Sequence, residues 1–537
     1  MKPLKLEELT LEQKIGQLLM VRGFIDDDDR KFIYEMMEKR AVGAVQVPYN
    51  LIDHERDIRE IKEHTDYPIL IFADMENGFT KGEFVVPSAL ALSITGDEDL
   101  AYQFGAVTAI EAKRNGYNAI GGPVVDLLDG DQMLGITRSF GAQSNPEHVC
   151  RMTSAVLKGE NDNGVLGIMK HWPNPADIKL DGHAFPDISE YSEEDLINKT
   201  LVPYKYAMEN VGLGSVMTTH TYLPKIDDTY PTSMSEKIIG ILRNAGFDGL
   251  LMTDSFAMLG ILQKFGEKMC YGMSIKAGHD LILPNYRLPF KDAYDLLMEA
   301  YKEGIFSEER LNEAVSRVIK AQNSVMEPDG ATEVSEYQKQ CFEKIAKDSI
   351  CSIKDDDVNF EMDKNSKKLF VLVKENYYRD GIDVPFEISF AGGIDDNNVD
   401  EIKKEITDTF QNSIIATMNQ YPNPAQIEDV IRLSVECDDV IFLTYSGAAA
   451  YGMGGEFTPK LVHTMEAVAD KISAIIHIGN PYPLEVVPHS PRILISAGLR
   501  GRSKGVGGYC ATLKNCFSIL CGEFAPKGKL PFTLNLK

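Results

Sequence analysis

Residues 165–220 read VLGIMKHWPNPADIKLDGHAFPDISEYSEEDLINKTLVPYKYAMENVGLGSVMTTH and contain one strand–loop–helix–strand unit. The apolar runs at 165–169 and 214–218 predict two buried strands, and the amphipathic stretch at 194–210 predicts a helix between them. Strands joined through a helix lie parallel in one sheet. This stretch therefore predicts a parallel α/β sheet.

The same alternation continues through the first 325 residues or so. Further strand-length apolar runs occur at 42–47, 69–73, 122–125, 249–252 and 280–283, and another helical pattern occurs at 99–114. So many repeated units favour a closed barrel over an open sheet. The predicted fold class is α/β: a TIM-like (β/α)8 barrel at 1–325, followed by a smaller α/β sandwich domain.

A second region follows the turn signal Pro328-Asp329-Gly330. We predict a linker and helix at 326–366, with the helix at 337–351, and the α/β sandwich at 367–537. The predicted strands of the sandwich lie at 369–373, 413–417, 440–444, 474–478 and 493–496.

The formal net charge of the 537-residue chain is −26, from 81 acidic and 55 basic residues. So acidic a surface repels phosphate backbones and anionic lipid, which argues against nucleic acid or a membrane as partner. A neutral carbohydrate substrate meets no such barrier. No signal peptide or apolar span is visible, and the eight cysteines form no CxxC pair, so we expect a reduced, cytoplasmic protein.

Polar residues follow the predicted strands at the positions where a barrel carries its active face. Asp74 follows IFA, Lys170 and His171 follow GIM, His220 follows VMTT, and Asp254 follows LMT. Strand ends of a parallel barrel meet at one rim. These side chains are therefore expected to lie together.

The segment KHWPNPADIKLDGH (170–183) contains two prolines, so we predict a loop. Its Asp181-Gly182-His183 triplet lets a carboxylate bond the neighbouring imidazole, which favours the protonated ring. A histidine held in this way can donate a proton near neutral pH. An ordinary surface loop is the competing interpretation. A zinc site is a third, although no HExxH spacing accompanies it.

Asp254, at the end of a predicted strand, could act as a covalent nucleophile on an anomeric carbon. The simplest alternative is that it caps the helix that follows. Asp74 and Arg138 could grip sugar hydroxyls or an amide carbonyl. Either could instead form a structural salt bridge, and Glu76 has the same ambiguity.

Nearly the whole chain resembles glycoside hydrolase family 3, and within it the β-N-acetylglucosaminidase branch. The segments that carry the resemblance are, in order, 9–24 (LTLEQKIGQLLMVRGF), 67–78 (YPILIFADMENG), 121–128 (GGPVVDLL), 137–149 (TRSFGAQSNPEHV), 170–183, 216–224 (VMTTHTYLP), 251–258 (LMTDSFAM), 277–283 (AGHDLIL) and 528–534 (GKLPFTL). Segment 170–183 is similar to the branch pattern KHFPGHG-x4-DSH, but has Asn174-Pro175-Ala176 in place of Gly-His-Gly, and Asn77 takes a glycine position.

The resemblance implies a barrel followed by an α/β sandwich, and a retaining mechanism without metal or organic cofactor. Asp254 matches the family nucleophile, His183 the branch's acid/base and Asp181 the residue that orients it. The sugar-contacting positions are matched by Asp74, Arg138, Lys170 and His171. The implied reaction is removal of terminal β-linked N-acetylglucosamine, as in cell-wall recycling. Oligomeric state is not predicted.

Two alternatives stay open at this stage. One is a β-glucosidase or β-xylosidase of the same family, with Glu456 in YGMGGEF as its acid. The other is a non-catalytic sugar-binding protein on a hydrolase fold. Trp172, the only tryptophan, is expected to pack in the core, since the family has a Phe there.

Overall fold

The computed structural model describes residues 1–49, 53–82, 84–128, 138–262, 264–326, 332–374, 394, 398–447, 456–500, 502–503 and 506–537. The chain divides into two compact units. The first comprises residues 1–79, 101–129 and 142–338, and the second comprises 80–100, 130–141 and 339–537. The predicted boundaries at 325 and 366 remain a prediction. None of the helices among these residues is long and apolar enough to cross a membrane.

The first unit is built on eight parallel strands that close into a barrel, which confirms the predicted fold class. In sheet order, which is also chain order, they are Met20–Arg22, Ala44–Gln46, Leu70–Asp74, Ala119–Val124, Leu166–Trp172, Ser215–Thr218, Leu250–Ser255 and Leu281–Leu283. The last strand returns to the first, because Ile282 N donates to Leu18 O and Leu19 forms a parallel bridge with Ile282.

Helices surround the barrel because their apolar faces must be buried against the strands. Those of the first unit, with two that cross its limits, are Leu11–Gln17, Asp27–Glu38, His54–Glu63, Glu98–Arg114, Pro146–Asp162, Glu193–Asp195, Leu196–Thr200 (a π-helix), Val202–Asn210, Glu236–Asn244, Leu259–Leu262, Glu267–Ala277, Phe290–Lys302, Glu308–Ser324 and Glu336–Asp348, with 3-10 turns at Leu6–Glu8 and Thr232–Met234. Several begin at a capping hydroxyl, such as Ser235 and Ser307, which satisfies backbone donors of the first turn.

Three details of the predicted barrel are wrong. The predicted strands do not include the first strand of the barrel, Met20–Arg22, which follows the helix Leu11–Gln17. The predicted loop at 170–183 begins three residues too early, because the fifth strand continues to Trp172. The predicted helix at 194–210 is interrupted by the π-helical turn Leu196–Thr200.

The second unit contains a six-stranded sheet whose order is Ile350–Lys354, Arg492–Ser496, Ile472–Gly479, Asp439–Ser446, Lys368–Lys374 and Ser413–Asn419. Its first strand is antiparallel to its neighbour, and the other pairs are parallel. The helices are Ala89–Thr95, Val399–Thr409, Pro424–Val435, Pro459–Ala467 and Gly508–Leu520, with 3-10 turns at Ala469–Lys471 and Tyr482–Val486. Short strands pair Leu499–Arg500 with Val86–Pro87 and Arg502–Ser503 with Val506–Gly507.

Two predictions for this unit are wrong. The helix predicted to run to residue 351 ends at Asp348, because Ile350–Lys354 joins the sheet edge. The resemblance also implies a strand at the C-terminal segment 528–534, but this segment forms only a single bridge, between Gly528 and Cys351. Pro328-Asp329-Gly330 lies outside the described residues.

Candidate active site

The carboxyl ends of the third, fifth and seventh barrel strands carry the polar residues of the candidate site. Asp74 is the last residue of the third strand, Lys170 and His171 lie near the end of the fifth, and Asp254 is the penultimate residue of the seventh. Parallel strands in register place these ends on one rim. The expectation that they share an edge is met for these four residues.

Lys170 connects two carboxylates at this rim. Its side chain is only 3% exposed, and its Nζ lies 2.6 Å from Asp74 Oδ1 and 2.7 Å from Glu76 Oε1. Gln46 Nε2 donates to the other oxygen of Asp74 at 2.9 Å. The Asp74 side chain is nevertheless 47% exposed. A carboxylate paired with a buried ammonium is thus presented to solvent, an arrangement that suits hydrogen bonds to neutral hydroxyls.

His171 is fixed by a buried aspartate that sequence reasoning missed. Its backbone N donates to Asp126 Oδ1 at 2.7 Å, and its ring Nδ1 lies 2.9 Å from Asp126 Oδ2. Both side chains are buried. Asp126 orients the ring and keeps Nε2 as the nitrogen available for other chemistry. It follows the end of the fourth strand, Ala119–Val124, so the rule that selected Asp74 could have found it.

His183 is paired with Asp181, as the triplet predicts. Its Nδ1 lies 2.7 Å from Asp181 Oδ1, which also accepts from His183 backbone N at 2.9 Å. Backbone N–H groups of Ala184 and Phe185 donate to Asp181 O, so residues 181–185 form one tight turn. The ring therefore has a defined orientation, with Nε2 as the second nitrogen.

The loop that carries His183 is tied to its surroundings by its own acidic residues. Asp177 accepts from Ser189 Oγ at 2.7 Å and from Glu190 N at 2.8 Å. Asp187 accepts from Thr221 Oγ1 at 2.5 Å, and burial raises the pKa of Asp187 to about 6. The bonds of Asp177 close the loop on itself, and the bond of Asp187 fixes it against the segment that follows the sixth strand.

Asp254 sits among three histidines. Burial raises the pKa of its carboxyl, but the electrostatic attraction of His171, His220 and His183 and a 2.6 Å bond from Ser255 N outweigh burial, so the pKa lies below its ordinary value. A carboxylate that stays ionised at neutral pH is what a nucleophile requires. Asp254 lies within the strand, so it is not a helix cap.

His220 has a supporting position. Its Nδ1 lies 2.8 Å from Ser233 Oγ, and its Nε2 lies 3.1 Å from Ser255 O. Burial lowers the pKa of the ring more than the nearby Asp254 carboxylate raises it. The two ring nitrogens thus bond the Ser233 side chain and the backbone beside Asp254.

The His183 turn lies directly against the segment that follows Asp254. Leu259 N donates to His183 O at 3.0 Å, and a Cβ on Gly260 would lie 2.4 Å from Phe185 O. His183 is also close enough to attract the Asp254 carboxylate electrostatically. The carboxylate and the imidazole therefore converge from separate strands on one region of the rim.

Other predicted residues lie elsewhere or stay untested. Arg138 and Glu456 belong to the second unit; Arg138 is half-buried and Glu456 is exposed. Their proposed roles remain predictions. Trp172 is fully buried, as expected of a core residue, and its ring packs edge-on against Tyr204. Within the described parts of the chain, no cluster of three or more His, Cys, Asp or Glu could hold a metal ion.

The barrel and its acidic rim define an α/β-barrel enzyme of the glycoside-hydrolase type. Residues 10–321 match the Glycosyl hydrolase family 3 N terminal domain, and the chain belongs to this family.

Curated relatives are similar over about half of the chain. A β-N-acetylglucosaminidase/β-glucosidase of Cellulomonas fimi is 26% identical over 331 residues, which are 58% of this chain and 57% of that protein. A β-hexosaminidase of Tolumonas auensis is 27% identical over 284 residues, 50% of this chain and 82% of the relative. A Neisseria meningitidis serogroup B β-hexosaminidase is 30% identical over 256 residues, covering 45% and 69%.

Solved structures share the fold over almost the entire chain. A family 3 β-N-acetylglucosaminidase from a Paenibacillus species has a TM-score of 0.78 at 24% identity, covering 98% of this chain and all of that one. The β-glucoside phosphorylase BglX has a TM-score of 0.79 at 22% identity, covering 98% and 94%. At these identities the likeness extends to the fold alone.

Proposed function

We propose that this protein is a retaining exo-glycosidase that removes terminal β-linked N-acetylglucosamine, with Asp254 as nucleophile and His183 as acid/base. The observation that carries the proposal is the convergence of Asp254 and the Asp181-bonded His183 on one stretch of the barrel rim. The β-hexosaminidase relatives, matched over most of their own length, support the choice of sugar.

In the first step, Asp254 attacks the anomeric carbon of the bound sugar. The bond to the glycosidic oxygen breaks, and protonated His183 gives that oxygen its proton through Nε2, through an oxocarbenium-like transition state. The products are a glycosyl–Asp254 ester, a neutral His183 and the free alcohol. Asp181 stabilises the cationic ring before the transfer and holds its orientation.

In the second step, neutral His183 takes a proton from water as the water oxygen attacks the anomeric carbon. The ester bond breaks and Asp254 leaves as a carboxylate, so two inversions give net retention. The low pKa of Asp254 makes it a good leaving group here as well as an ionised nucleophile.

Four residues are proposed to hold the sugar. Asp74 presents an exposed carboxylate that is paired with the buried Lys170, and His171 presents a ring fixed by Asp126. Arg138 is assigned to the same role on its match to the family. Each would be tested by alanine substitution, with KM expected to rise more than kcat falls.

A panel of nitrophenyl sugars tests the substrate. The N-acetylglucosaminide is expected to be turned over faster than the glucoside or xyloside. Comparing His183→Ala with Glu456→Ala then tests the acid. In His183→Ala, kcat/KM should fall by ~10²–10⁴-fold for aryl glycosides whose leaving group needs protonation. It should fall far less for the dinitrophenyl glycoside, whose leaving group needs none. The same pattern in Glu456→Ala instead would identify a β-glucosidase-type mechanism.

A covalent adduct distinguishes the enzyme from a sugar-binding protein. Incubation with an activated 2-fluoro glycoside followed by intact-mass measurement should add one glycosyl group on Asp254. Peptide mapping of Asp254→Asn after the same treatment is the control. An unmodified native protein that still binds the sugar would mean that the fold has kept recognition without catalysis.

Phosphorolysis is a second candidate, favoured by one feature. The proposed base is an imidazole, which repels an anionic acceptor less than a carboxylate would, and the ester lies among three histidines. Phosphate could then attack in place of water and yield a sugar 1-phosphate. Turnover in phosphate buffer, followed by phosphorus NMR, checks this. The absence of sugar 1-phosphate excludes it.

We also propose a cytoplasmic role in recycling cell-wall sugars. All eight cysteines are buried and none belongs to a CxxC pair, as suits a reducing compartment. Cell fractionation tests the location, and accumulation of N-acetylglucosamine-terminated wall fragments in a deletion strain tests the role.

A further inference from the structure

Gln46 is a buried polar residue of the barrel rim to which the proposed mechanism gives no role. It is the last residue of the second strand, Ala44–Gln46, and is only 4% exposed. Its Nε2 donates to Asp74 Oδ2 at 2.9 Å, and its Oε1 has no hydrogen-bond partner among the described residues. We propose that Gln46 is a positioning residue, which orients the Asp74 carboxylate for sugar binding. The inference rests on the proposed function, in which Asp74 holds the sugar.

Three neighbouring strands fix the Asp74 carboxylate. Its Oδ1 accepts from Lys170 Nζ at 2.6 Å. Gly121 is paired with Asp74 across the sheet, and a Cβ there would lie 2.6 Å from Asp74 Oδ1, so the missing side chain gives this oxygen its space. Gln46 holds the other oxygen, which prevents rotation of the carboxylate plane about the bond to Lys170. Because each carboxylate oxygen accepts about two hydrogen bonds, both oxygens keep capacity for sugar hydroxyls.

The amide of Gln46 contributes more to this orientation than to folding. It interrupts the apolar run 42–47, and a buried amide oxygen without a donor destabilises the folded state. A methionine side chain has a similar shape and avoids that cost. The Asp74 side chain is 47% exposed, so water can replace the bond that Gln46 donates. What Gln46 adds is therefore a fixed direction for an exposed carboxylate.

A second buried glutamine has the same unpaired oxygen but a structural set of bonds. Gln322, in the helix Glu308–Ser324, is fully buried, and its Oε1 also has no hydrogen-bond partner in the described part of the chain. Its Nε2 donates to Gln17 Oε1 and to Gly43 O, both at 2.8 Å. These two acceptors are buried, so water would not replace the bonds. Gln322 is thus a matched control for Gln46.

Methionine substitutions of the two glutamines test the inference. In Gln46→Met, KM for the nitrophenyl N-acetylglucosaminide should rise roughly tenfold while kcat changes less than threefold, and the thermal midpoint should stay equal or rise. In Gln322→Met, the midpoint should fall by roughly 3–6 °C, with KM within twofold of the native value. A Gln46→Met protein whose KM stays within twofold of native, or whose midpoint falls as far as that of Gln322→Met, overturns the inference.

Gln46→Glu adds a readout that a purely structural residue would not change. The introduced carboxyl lies beside Asp74 Oδ2, where the other charged groups around Asp74 are Lys170 and Glu76. At low pH the two carboxyls share a proton, so the introduced one can donate to Asp74 as the amide does; at high pH they repel each other. The ratio of KM in Gln46→Glu to native KM should be below about three at pH 5 and above about ten at pH 8. A ratio that does not change with pH overturns the role of the donated bond.

Two further measurements show whether Gln46 acts through Asp74 and separate the possible failures. In an Asp74→Ala background, adding Gln46→Met should lower kcat/KM by less than about twofold, because the carboxylate that it orients is already absent. An independent further loss overturns the inference. Calorimetric titration with N-acetylglucosamine gives a Kd without turnover. If the native protein binds this sugar but turns no substrate over, the proposed function fails, and a Kd about tenfold weaker in Gln46→Met still supports the inference. Equal Kd values, or no binding by the native protein, overturn it.

Discussion

The two ends of the barrel both hold buried carboxylates, but they balance the charge with different partners. At the rim, Asp254 is surrounded by three histidines and accepts one backbone bond, from Ser255 N. At the opposite end, where the strands begin, Asp280 is fully buried and accepts from Arg243, Arg310 and Arg317. Leu251 N donates to it as well.

The difference separates a reactive carboxylate from a structural one. The oxygens of Asp280 are occupied by three permanently charged guanidinium groups, so they have no capacity to attack a substrate. Asp254 has histidines rather than arginines as its neighbours, and one of its oxygens accepts a bond from Ser255 N. Removing each carboxylate should therefore damage a different property of the protein.

The most severe test of this contrast is Asp254→Asn. We expect kcat to fall by roughly 10⁴-fold or more, because the nucleophile is lost. The thermal midpoint should fall only slightly, because the lowered pKa of Asp254 means that the folded state favours its charge, while Asn can still accept the bond from Ser255 N. The measurement pairs initial rates on the nitrophenyl N-acetylglucosaminide with thermal unfolding. A loss of stability comparable to the loss of activity would mean that Asp254 is structural.

The converse test is Asp280→Asn. One partner is removed while three partly buried arginines remain, so unfolding should become easier by ~3–5 kcal/mol. The folded fraction should keep its kcat. Asp248→Asn is the matched control, because Asp248 pairs with the same Arg317 at 3.0 Å but is exposed, and its loss should cost ~1 kcal/mol or less. Equal losses of unfolding free energy in Asp280→Asn and Asp248→Asn would contradict the structural role of Asp280.

Glu160 is a third carboxyl for this comparison, and it has neither histidine nor arginine partners. It is buried between the helix Pro146–Asp162 and the start of the fifth strand, and its Oε2 has no hydrogen-bond partner among the described residues. Burial raises its pKa well above the ordinary value. The folded state therefore binds this proton more tightly than the unfolded state does.

The direction in which stability changes with pH follows from that difference. Stability from Glu160 is present below the unfolded pKa and is lost as pH rises towards the folded pKa, by at most about 1.4 kcal/mol per pH unit. Glu160→Met should remove this slope and raise stability at neutral pH. Chemical denaturation from pH 5 to pH 8 measures it, with Glu147→Met, an exposed change in the same helix, as the control. A slope that persists in Glu160→Met would contradict the assignment.

The local pairing at the site could be predicted from the sequence, and the long-range pairing could not. Asp181 and His183 are two residues apart, so their bond follows from spacing alone. Asp126 and His171 are separated by 45 residues, and only the packing of the fourth strand against the fifth brings them together. The same limit applies to Lys170, whose partners Asp74 and Glu76 lie on another strand end.

The predicted elements are wrong where the local sequence does not distinguish a strand from the helix or loop next to it. Met20–Arg22 is a three-residue strand two residues after a helix, with no turn residue between them, so its apolar side chains extend the helical pattern. Ile350–Lys354 similarly follows its helix after one residue. The fifth strand runs through Lys170 and His171 because polar side chains are tolerated at a barrel rim, which a rule based on apolar runs cannot see.

The smallest expected effect concerns Trp172, which follows these two residues in the strand. Its indole Nε1 has no hydrogen-bond partner among the described residues, and its ring packs against Tyr204 with centroids 5.5 Å apart. Trp172→Phe leaves a small cavity but removes a buried unbonded donor, so the unfolding free energy should change by no more than ~1 kcal/mol. Because Asp126 rather than Trp172 bonds His171, kcat/KM should change less than about threefold.

Circular dichroism must follow unfolding of this variant, since Trp172 is the only tryptophan of the chain. Trp172→Ala is the severe counterpart and should cost ~3–5 kcal/mol, because the cavity then exceeds what neighbouring side chains can fill. A fall in kcat/KM of more than tenfold in Trp172→Phe, at unchanged stability, would show that the indole ring acts on the site beyond filling the core. A side chain buried in the core at the rim would then contribute to the chemistry as well as to the packing.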